Sequence, residues 1–114
     1  MTPQTPLREA VRWFAEEMNT TLNQHRDRDH QDEDGWIREP LRFLLQRLHE
    51  EIAELDEELG ATFSSRGHLC QVHSNSILKA PKIIGEAIDV ANLAMMIADV
   101  ARKNPEIPTD DDPC

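Results

Sequence analysis

Apolar residues recur at helical spacing in three stretches of the chain, residues 6–22, 40–59 and 81–103. A period of three to four residues is typical of helices that bury one face. Thr5 can cap the first stretch, and Pro6 suits the first position of a helix because its missing N–H is not needed there. No strand pattern competes with the helical one. The sequence therefore predicts an all-α fold, a bundle of three long helices.

The second stretch carries an apolar seam with a charged stripe beside it. The apolar residues alternate at spacings of four and three, which predicts a heptad-like packing face. At about 100° per residue the charged residues follow one line next to that face, so its carboxylates are expected at the edge of the packing. Gly60 is expected to end the helix as a cap residue. The seam consists of Leu41, Leu45, Leu48, Ile52, Leu55 and Leu59, and the stripe of Arg47, Glu51, Glu54 and Glu58.

The third stretch is apolar around nearly its whole circumference, and Pro81 suits its first turn. Such a helix is expected to be buried on all sides, and two partner helices in a chain of 114 residues cover it poorly. The pattern therefore predicts a homo-oligomer, either a dimer or a tetramer built from dimers. Among the polar residues that interrupt the stretch, Glu86 and Asp89 share one face with Leu93.

The connection between the first two helices, residues 23–39, is polar and dense in charge. Such a composition cannot form a core, which predicts a mobile loop. Gly35 and Trp36 come near its end. A tryptophan after so polar a run is expected to be anchored to another part of the chain.

The segment before the third helix, residues 61–80, is the least regular in its pattern. Ser64-Ser65-Arg66-Gly67 predicts a turn, and a short helix is expected after it. We call residues 61–80 the insertion. Residues 105–114 are rich in proline and aspartate and are expected to be a disordered tail, which leaves one domain at residues 1–104.

Acidic residues outnumber basic ones by 22 to 12, giving a net charge of −10. This charge argues against nucleic acid or an anionic membrane as a partner, but bound divalent ions could still recruit a phosphorylated substrate. Cys70 and Cys114 provide no disulfide framework and fit a reducing compartment. We see no apolar signal segment near the N-terminus, and acidic residues interrupt the most apolar stretch. A cytoplasmic protein is therefore expected.

Two pairs of carboxylates suggest a chemistry, Glu51 with Glu54 and Glu86 with Asp89. The members of each pair are three residues apart, so both project from the same side of a helix. If the two helices pack side by side, the pairs converge. A buried carboxylate needs a cation, a proton or a metal, and an all-oxygen pocket suits one or two magnesium or manganese ions that also bind a substrate phosphate.

Other interpretations of these residues stay open. Glu51 and Glu54 alone could be a solvated helix face, whereas Glu86 and Asp89 could form buried salt bridges. A ferritin-like di-iron site needs Glu-x-x-His, and no glutamate here has a histidine three residues later. A zinc site in the insertion would lack a fourth ligand. The salt-bridge partners would be Arg42, Arg47 or Lys82, and the zinc ligands His68, Cys70 and His73.

The two carboxylate motifs resemble those of the all-α nucleoside triphosphate pyrophosphohydrolase superfamily, the MazG-like and dimeric-dUTPase-like proteins. The family pattern is EExxE followed by ExxD on a later helix. Here Glu50-Glu51-Ile52-Ala53-Glu54 and Glu86-Ala87-Ile88-Asp89 match it. The resemblance covers roughly residues 7–102 and includes short single-domain MazG-like proteins of bacteria and phages. One departure is the 31 residues between Glu54 and Glu86, a longer connection than most short members have, and the extra length falls in the insertion. Three flanking sequence segments are also similar to the family: Phe14-Ala15-Glu16-Glu17-Met18, Gly35-Trp36 and residues 89–99.

The resemblance implies an enzyme that cuts the α–β bond of a nucleoside triphosphate and releases the monophosphate and pyrophosphate. It implies two or more magnesium ions per site, with manganese as a substitute. Some phage members act on purine deoxynucleotides such as dGTP or dATP. A house-cleaning hydrolase of non-standard or pyrimidine nucleotides is the nearest variant, and a non-catalytic helical oligomerisation or binding module is the alternative class. By analogy the metal ligands are Glu51, Glu54, Glu86 and Asp89, with Glu50 as an outer ligand or as a residue that orients the attacking water.

The resemblance also suggests substrate contacts. Two lysines near the start of the third helix are candidates for binding phosphate, with ordinary surface charge as an equal alternative. The asparagine one turn beyond Asp89 looks like the family's nucleotide-contacting residue, and its alternative role is a hydrogen bond between helices. A tryptophan in a polar segment suits base stacking better than Trp13 and Phe14, whose helical spacing is typical of core residues. The expected substrate contacts are Lys79, Lys82, Asn92 and Trp36.

Overall fold

The computed structural model describes residues 5–29, 35–73 and 76–104 of the chain. These residues are mostly helical, as predicted, and they also contain a two-stranded antiparallel sheet. None of the helices in the described ranges is both long and apolar enough to cross a membrane. The contacts divide the chain into two units, residues 1–33 and 34–114. In chain order the elements are α1 (Glu9–Asp29), a 3₁₀ turn (Gly35–Arg38), α2 (Leu41–Glu58), β1 (Ala61–Phe63), β2 (Leu69–Val72) and α3 (Ser76–Lys103).

The first unit contains α1, and both predicted ends of this helix are wrong. Residues 5–8 are not helical, so neither Thr5 nor Pro6 begins the helix. It begins instead at Glu9, whose negative charge suits the positive end of the helix dipole. It then continues to Asp29, into the segment predicted as a mobile loop. Backbone hydrogen bonds of a solvated helix need no apolar face, so high polarity did not mark its end.

The second unit is built on α2, whose predicted bounds are confirmed to within a residue. Gly60 follows it with φ of 61°, a left-handed conformation that glycine adopts without strain. A Cβ atom at this position would also clash with the carbonyl group of His73. The N–H of His73 lies 3.2 Å from the carbonyl oxygens of both Leu59 and Gly60, so the end of the sheet is tied to the end of α2.

The packing face of α2 differs from the predicted heptad seam by one position. Leu44, which the seam omitted, is only 1% exposed, whereas Leu45 is 50% exposed and Ile52 37%. Leu44 packs with Leu93 and Val100 of α3 in the core of this unit. A step of one residue turns a side chain by about 100° around the helix, so the face centred on Leu44 turns Leu45 towards the edge. Other side chains packed against this core are Trp36, Leu41, Leu48, Met96 and Ile97.

The third helix is longer than predicted and is not buried on all sides. It begins at Ser76, so Pro81 lies inside it and not at its start. Proline cannot donate to the carbonyl four residues earlier, and the helix continues with one hydrogen bond fewer. Ile84 is 37% exposed, and Ala94 and Ala98 are also exposed within the described chain. The predicted end near residue 103 is confirmed.

A β-hairpin replaces the short helix that was expected between α2 and α3. Ala61 pairs with Val72 and Phe63 with Leu69, while the register shift between them leaves Cys70 as a bulge. Paired residues share a face of a sheet, so these four apolar side chains lie on the same face. The bulge breaks the alternation of polar and apolar residues in β2, which explains why the sequence pattern showed no strand.

The predicted turn of this hairpin is confirmed. The N–H of Gly67 donates to the carbonyl of Ser64 at 2.9 Å, and the N–H of Ser64 donates to the carbonyl of His68 at 2.8 Å. The Ser64 hydroxyl also accepts from the N–H of His68 at 3.1 Å. Serine therefore satisfies backbone donors that the tight turn leaves free. The predicted disordered tail and Cys114 lie outside the described residues.

Candidate metal centre

Three of the predicted metal ligands come together where α2 and α3 pack. Carboxylate oxygens of Glu51, Glu54 and Glu86 all lie within 4.8 Å of one another. Asp89 is not a member of this group, although its charge acts on both Glu51 and Glu86. Glu50 is exposed and also lies outside it. We call Glu51, Glu54 and Glu86, with the neighbouring Asp89, the carboxylate cluster.

The acids of the carboxylate cluster disfavour each other's ionised forms. The pKa of Glu51 is raised from 4.5 to about 7, chiefly by burial and then by its hydrogen bond to Glu54 and the charges of Glu54, Asp89 and Glu86. Burial likewise raises the pKa of Glu86, with the hydrogen bond and charge of Glu54 next in importance. A hydrogen bond between two carboxyl groups requires a shared proton. The cluster therefore favours the uptake of positive charge.

Two buried oxygens of the cluster have no hydrogen-bond partner among the described residues. Glu51 Oε2 and Glu86 Oε2 are both buried, and neither forms a hydrogen bond with the part of the chain that the structure describes. A buried carboxylate oxygen with no partner is costly. Oxygens that bind one magnesium ion at about 2.1 Å lie at most about 4.2 Å apart, so small side-chain movements would suffice here. The donor set, which is all carboxylate, fits a hard divalent ion such as magnesium or manganese.

The two lysines predicted to contact phosphate both form ion pairs with Glu58, and the charge of Glu86 in the carboxylate cluster acts on Lys82. Lys79 Nζ is 3.7 Å from Glu58 Oε1, and Lys82 Nζ is 3.2 Å from Glu58 Oε2. The hydrogen bond and charge of Glu58 raise the pKa of Lys82, and the charge of Glu86 adds to this effect. Lys82 was one possible salt-bridge partner for the buried acids, but its ion pair is with Glu58. The role of both lysines in binding phosphate stays a prediction.

Trp36 is anchored in the core of the second unit, as expected of a tryptophan in so polar a segment. Its indole N–H donates to Asp99 Oδ2 at 3.1 Å, and its ring packs against the core around Leu44. The Trp36 side chain therefore stabilises the fold, and its stacking on a base stays a prediction. Asn92 is 5% exposed, and its contact with a nucleotide is likewise untested.

The aromatic residues of α1 stack on each other. The ring centroids of Trp13 and Phe14 are 5.9 Å apart, with an angle of 28° between the rings. Trp13 is 42% exposed, so the expectation that both residues belong to a core does not hold for Trp13 within the first unit. Their stacking shows how two consecutive aromatic residues can cover each other on a helix surface.

Sequence reasoning missed a second acidic centre, at Asp99. Its side chain is 8% exposed and accepts hydrogen bonds from Arg102 at 2.7 Å and Lys103 at 3.2 Å, in addition to that from Trp36. These donors lower the pKa of Asp99 from 3.8 to about 2, with Arg102 the largest contribution. The signal was an aspartate in an apolar stretch followed by basic residues three and four positions later.

The zinc alternative finds no support in the described residues. His68, Cys70 and His73 are all exposed, and they do not form a metal-binding group there. The Cys70 thiol instead donates to the carbonyl of His68 at 3.6 Å. Within the described ranges, the only group of three or more possible metal ligands is Glu51, Glu54 and Glu86.

Comparison of the chain with protein-family models, curated proteins and solved structures gave no match. The motif resemblance therefore stays a hypothesis. The structural observation that bears on function is the geometry of the carboxylate cluster.

Proposed function

We propose that this protein is a magnesium-dependent nucleoside triphosphate pyrophosphohydrolase that releases a monophosphate and pyrophosphate and controls a nucleotide pool in the cytoplasm. One observation carries the proposal. Carboxylate oxygens of Glu51, Glu54 and Glu86 lie within 4.8 Å of one another, and two buried oxygens of this group have no partner among the described residues. A solvated helix face would not bury carboxylate oxygens without a partner.

Glu51, Glu54 and Glu86 would hold the divalent ions, and Asp89 would complete the ligand set. Such ions would supply Lewis-acid chemistry, neutralising charge on the triphosphate and activating water for hydrolysis. The residues of the chain would do the rest. Glu50, which is exposed beside Glu51, would orient the attacking water, and Lys79 and Lys82 would bind phosphate oxygens.

The proposed substrates are deoxynucleoside triphosphates, with the purine nucleotides dGTP and dATP first because the resemblance points to phage members of that kind. Hydrolysis of non-standard or pyrimidine deoxynucleotides is the nearest variant. Asn92 and Trp36 are the proposed base-side contacts. The acidic net charge of −10 is compatible with such a substrate only if divalent ions reverse the local field.

We also propose that the protein acts as a homo-oligomer, a dimer or a tetramer. In the second unit large apolar side chains remain exposed on α2 and on the hairpin, among them Phe43 at 56% and Phe63 at 50%. A second copy of the chain could cover such side chains. Sedimentation of a monomer at micromolar concentration would contradict this part of the proposal.

The test is pyrophosphate release from a panel of deoxynucleoside triphosphates with and without magnesium. Wild-type protein is expected to turn over at least one of them only when the metal is present. Glu54→Gln and Asp89→Asn are expected to lose this activity while keeping the fold. Glu57→Gln removes the same charge from an exposed position of α2 and is the matched control.

The assay also decides between the enzyme and the alternative class. If folded wild-type protein releases pyrophosphate from none of the nucleotides, the proposal fails and a helical oligomerisation or binding module becomes the better explanation. Activity that is equal in wild type and Glu54→Gln would separate catalysis from the carboxylate cluster.

A further inference from the structure

A single glutamate, Glu58, forms ion pairs with both lysines that were predicted to bind phosphate. The side chain of Glu58 is only 13% exposed, whereas those of Lys79 and Lys82 are 48% and 67% exposed. Each carboxylate oxygen of Glu58 faces one of the two ammonium groups, at 3.7 and 3.2 Å. A largely buried carboxylate thus holds two lysines whose side chains face solvent.

The position of this trio relative to the carboxylate cluster is set by the two helices. Glu58 lies one turn beyond Glu54 on α2, and Lys82 lies one turn before Glu86 on α3. The charge of Glu86 acts on Lys82, so positive and negative groups are close here. A lysine ammonium group has three N–H donors, and the ion pair with Glu58 occupies at most one of them. Each lysine can therefore stay bound to Glu58 and still donate to a phosphate oxygen.

We propose that Glu58 is a positioning residue for the triphosphate: it holds the ammonium groups of Lys79 and Lys82 where they bind the phosphate oxygens that extend beyond the carboxylate cluster. The inference rests on the proposed function, because it takes the phosphate chain to lie at that cluster. A free lysine loses much side-chain entropy when it binds a ligand. Ordering both lysines in advance lowers this cost. If Glu58 instead competed with phosphate for the lysines, its removal would strengthen binding.

Binding of inorganic tripolyphosphate in excess magnesium, measured by calorimetry, tests the proposal without requiring catalysis. Glu58→Gln is expected to raise the dissociation constant by roughly fivefold, because two lysines must then be ordered on binding. Glu58→Asp, which keeps the charge, is expected to recover part of the affinity. In a Lys79→Ala/Lys82→Ala background, Glu58→Gln is expected to cause no further loss. Glu57→Gln is the matched control and is expected to bind nearly like wild type, because the charge of Glu57 makes the smallest of the contributions that act on Lys82.

Turnover adds a second measurement. If the nucleotide is hydrolysed, Glu58→Gln is expected to raise KM by a similar factor and to change kcat by less than about twofold. Unchanged or tighter binding of tripolyphosphate by Glu58→Gln would overturn the proposal, and so would an equal loss in the background without the lysines. Lysine-dependent binding that needs Glu58, without any hydrolysis, would refute the proposed activity and leave this inference standing. Hydrolysis of a nucleotide, together with no effect of Glu58→Gln on tripolyphosphate binding or KM, would refute this inference and leave the proposed activity standing.

Discussion

Asp99 and Glu51 both lie in the packed part of the second unit, but the fold treats their charges in opposite ways. Asp99 accepts hydrogen bonds from Trp36, Arg102 and Lys103, and its pKa falls to about 2. Glu51 has other carboxylates as its neighbours, and its pKa rises to about 7. One acid is therefore held as an anion, and the other is held closer to its neutral form.

Asp99 is an acid whose charge the fold itself stabilises, whereas the acids of the carboxylate cluster require a proton or a cation. The chain provides donors for Asp99 from its own helix and from the 3₁₀ turn, so this carboxylate needs no ligand. In the carboxylate cluster, Glu51 Oε2 and Glu86 Oε2 have no partner among the described residues. A proton or a cation would supply the partner that these two oxygens lack. The cluster is thus the candidate site, and Asp99 is its structural counterpart.

Glu86→Gln is expected to produce the largest effect. It removes a proposed metal ligand, so magnesium-dependent pyrophosphate release should fall by more than about a hundredfold. Because the substitution also removes a like charge from the cluster, the metal-free protein should unfold at an equal or higher temperature than wild type. Activity and thermal unfolding with chelator present measure the two effects.

The control for Glu86→Gln is Glu57→Gln, which removes one negative charge from an exposed position of α2. It is expected to leave both activity and the unfolding temperature close to those of wild type. If Glu86→Gln destabilised the metal-free protein, the carboxylate would be stabilising the fold as Asp99 does, and the comparison would fail.

Leu44→Ala tests the packing that supports both acidic centres. Leu44 is 1% exposed, so the substitution should lower the free energy of unfolding by about 2–5 kcal/mol. The same change at the next position, Leu45→Ala, should cost less than about 1 kcal/mol because Leu45 is 50% exposed. Urea unfolding of the two variants measures the difference. A larger loss for Leu45→Ala than for Leu44→Ala would show that the predicted heptad seam, and not the face centred on Leu44, is the packing face in solution.

Asp99→Asn and Trp36→Phe are expected to have a smaller effect on stability than Leu44→Ala. Each substitution removes the donor or the charged acceptor of the hydrogen bond between Trp36 and Asp99, so the midpoint of thermal unfolding should fall by about 5 °C. The double variant should lose less than the sum of the two, because both substitutions break the same contact. Additive losses would mean that the indole and the carboxylate do not interact. The proposed base contact of Trp36 predicts that Trp36→Phe, but not Asp99→Asn, also raises KM.

The smallest expected effect is a change in how stability depends on pH. The pKa of Glu51 is higher in the folded protein than its usual 4.5, so its contribution to stability is present below about pH 4.5 and is lost as the pH rises towards 7. The pKa of Asp99 is lower than its usual 3.8, so its contribution is present above that pH and is lost as the pH falls towards 2.

Urea unfolding of the metal-free protein between pH 4.5 and 7 should therefore show falling stability, with a smaller slope for Glu51→Gln. Saturating magnesium should remove the decline, because a bound cation replaces the proton. A slope that is the same for wild type and Glu51→Gln, with chelator present, would contradict the assignment of the raised pKa to Glu51.

Much of the second unit could be predicted from the sequence because the relevant forces are local. The bounds of α2, the cap at Gly60 and the turn at Ser64–Gly67 depend on backbone preferences of neighbouring residues. The spacing within Glu51/Glu54 also follows from helix geometry alone. Local rules erred where a residue can serve two roles, as at Pro81, which suits the first turn of a helix and lies inside α3.

The rest was decided by tertiary contacts between residues far apart in the chain. The hairpin depends on pairing across a turn and on a bulge at Cys70 that hides the alternation of its strand. Which leucine of α2 is buried depends on how that helix is rotated against α3. The bond between Trp36 and Asp99 joins positions 63 residues apart. The sequence by itself determined that the chain is mostly helical and which carboxylates can share a helix face. Only packing decided which of them meet and which acid receives its own partners, because the energy of a buried charge depends on neighbours that the fold brings together.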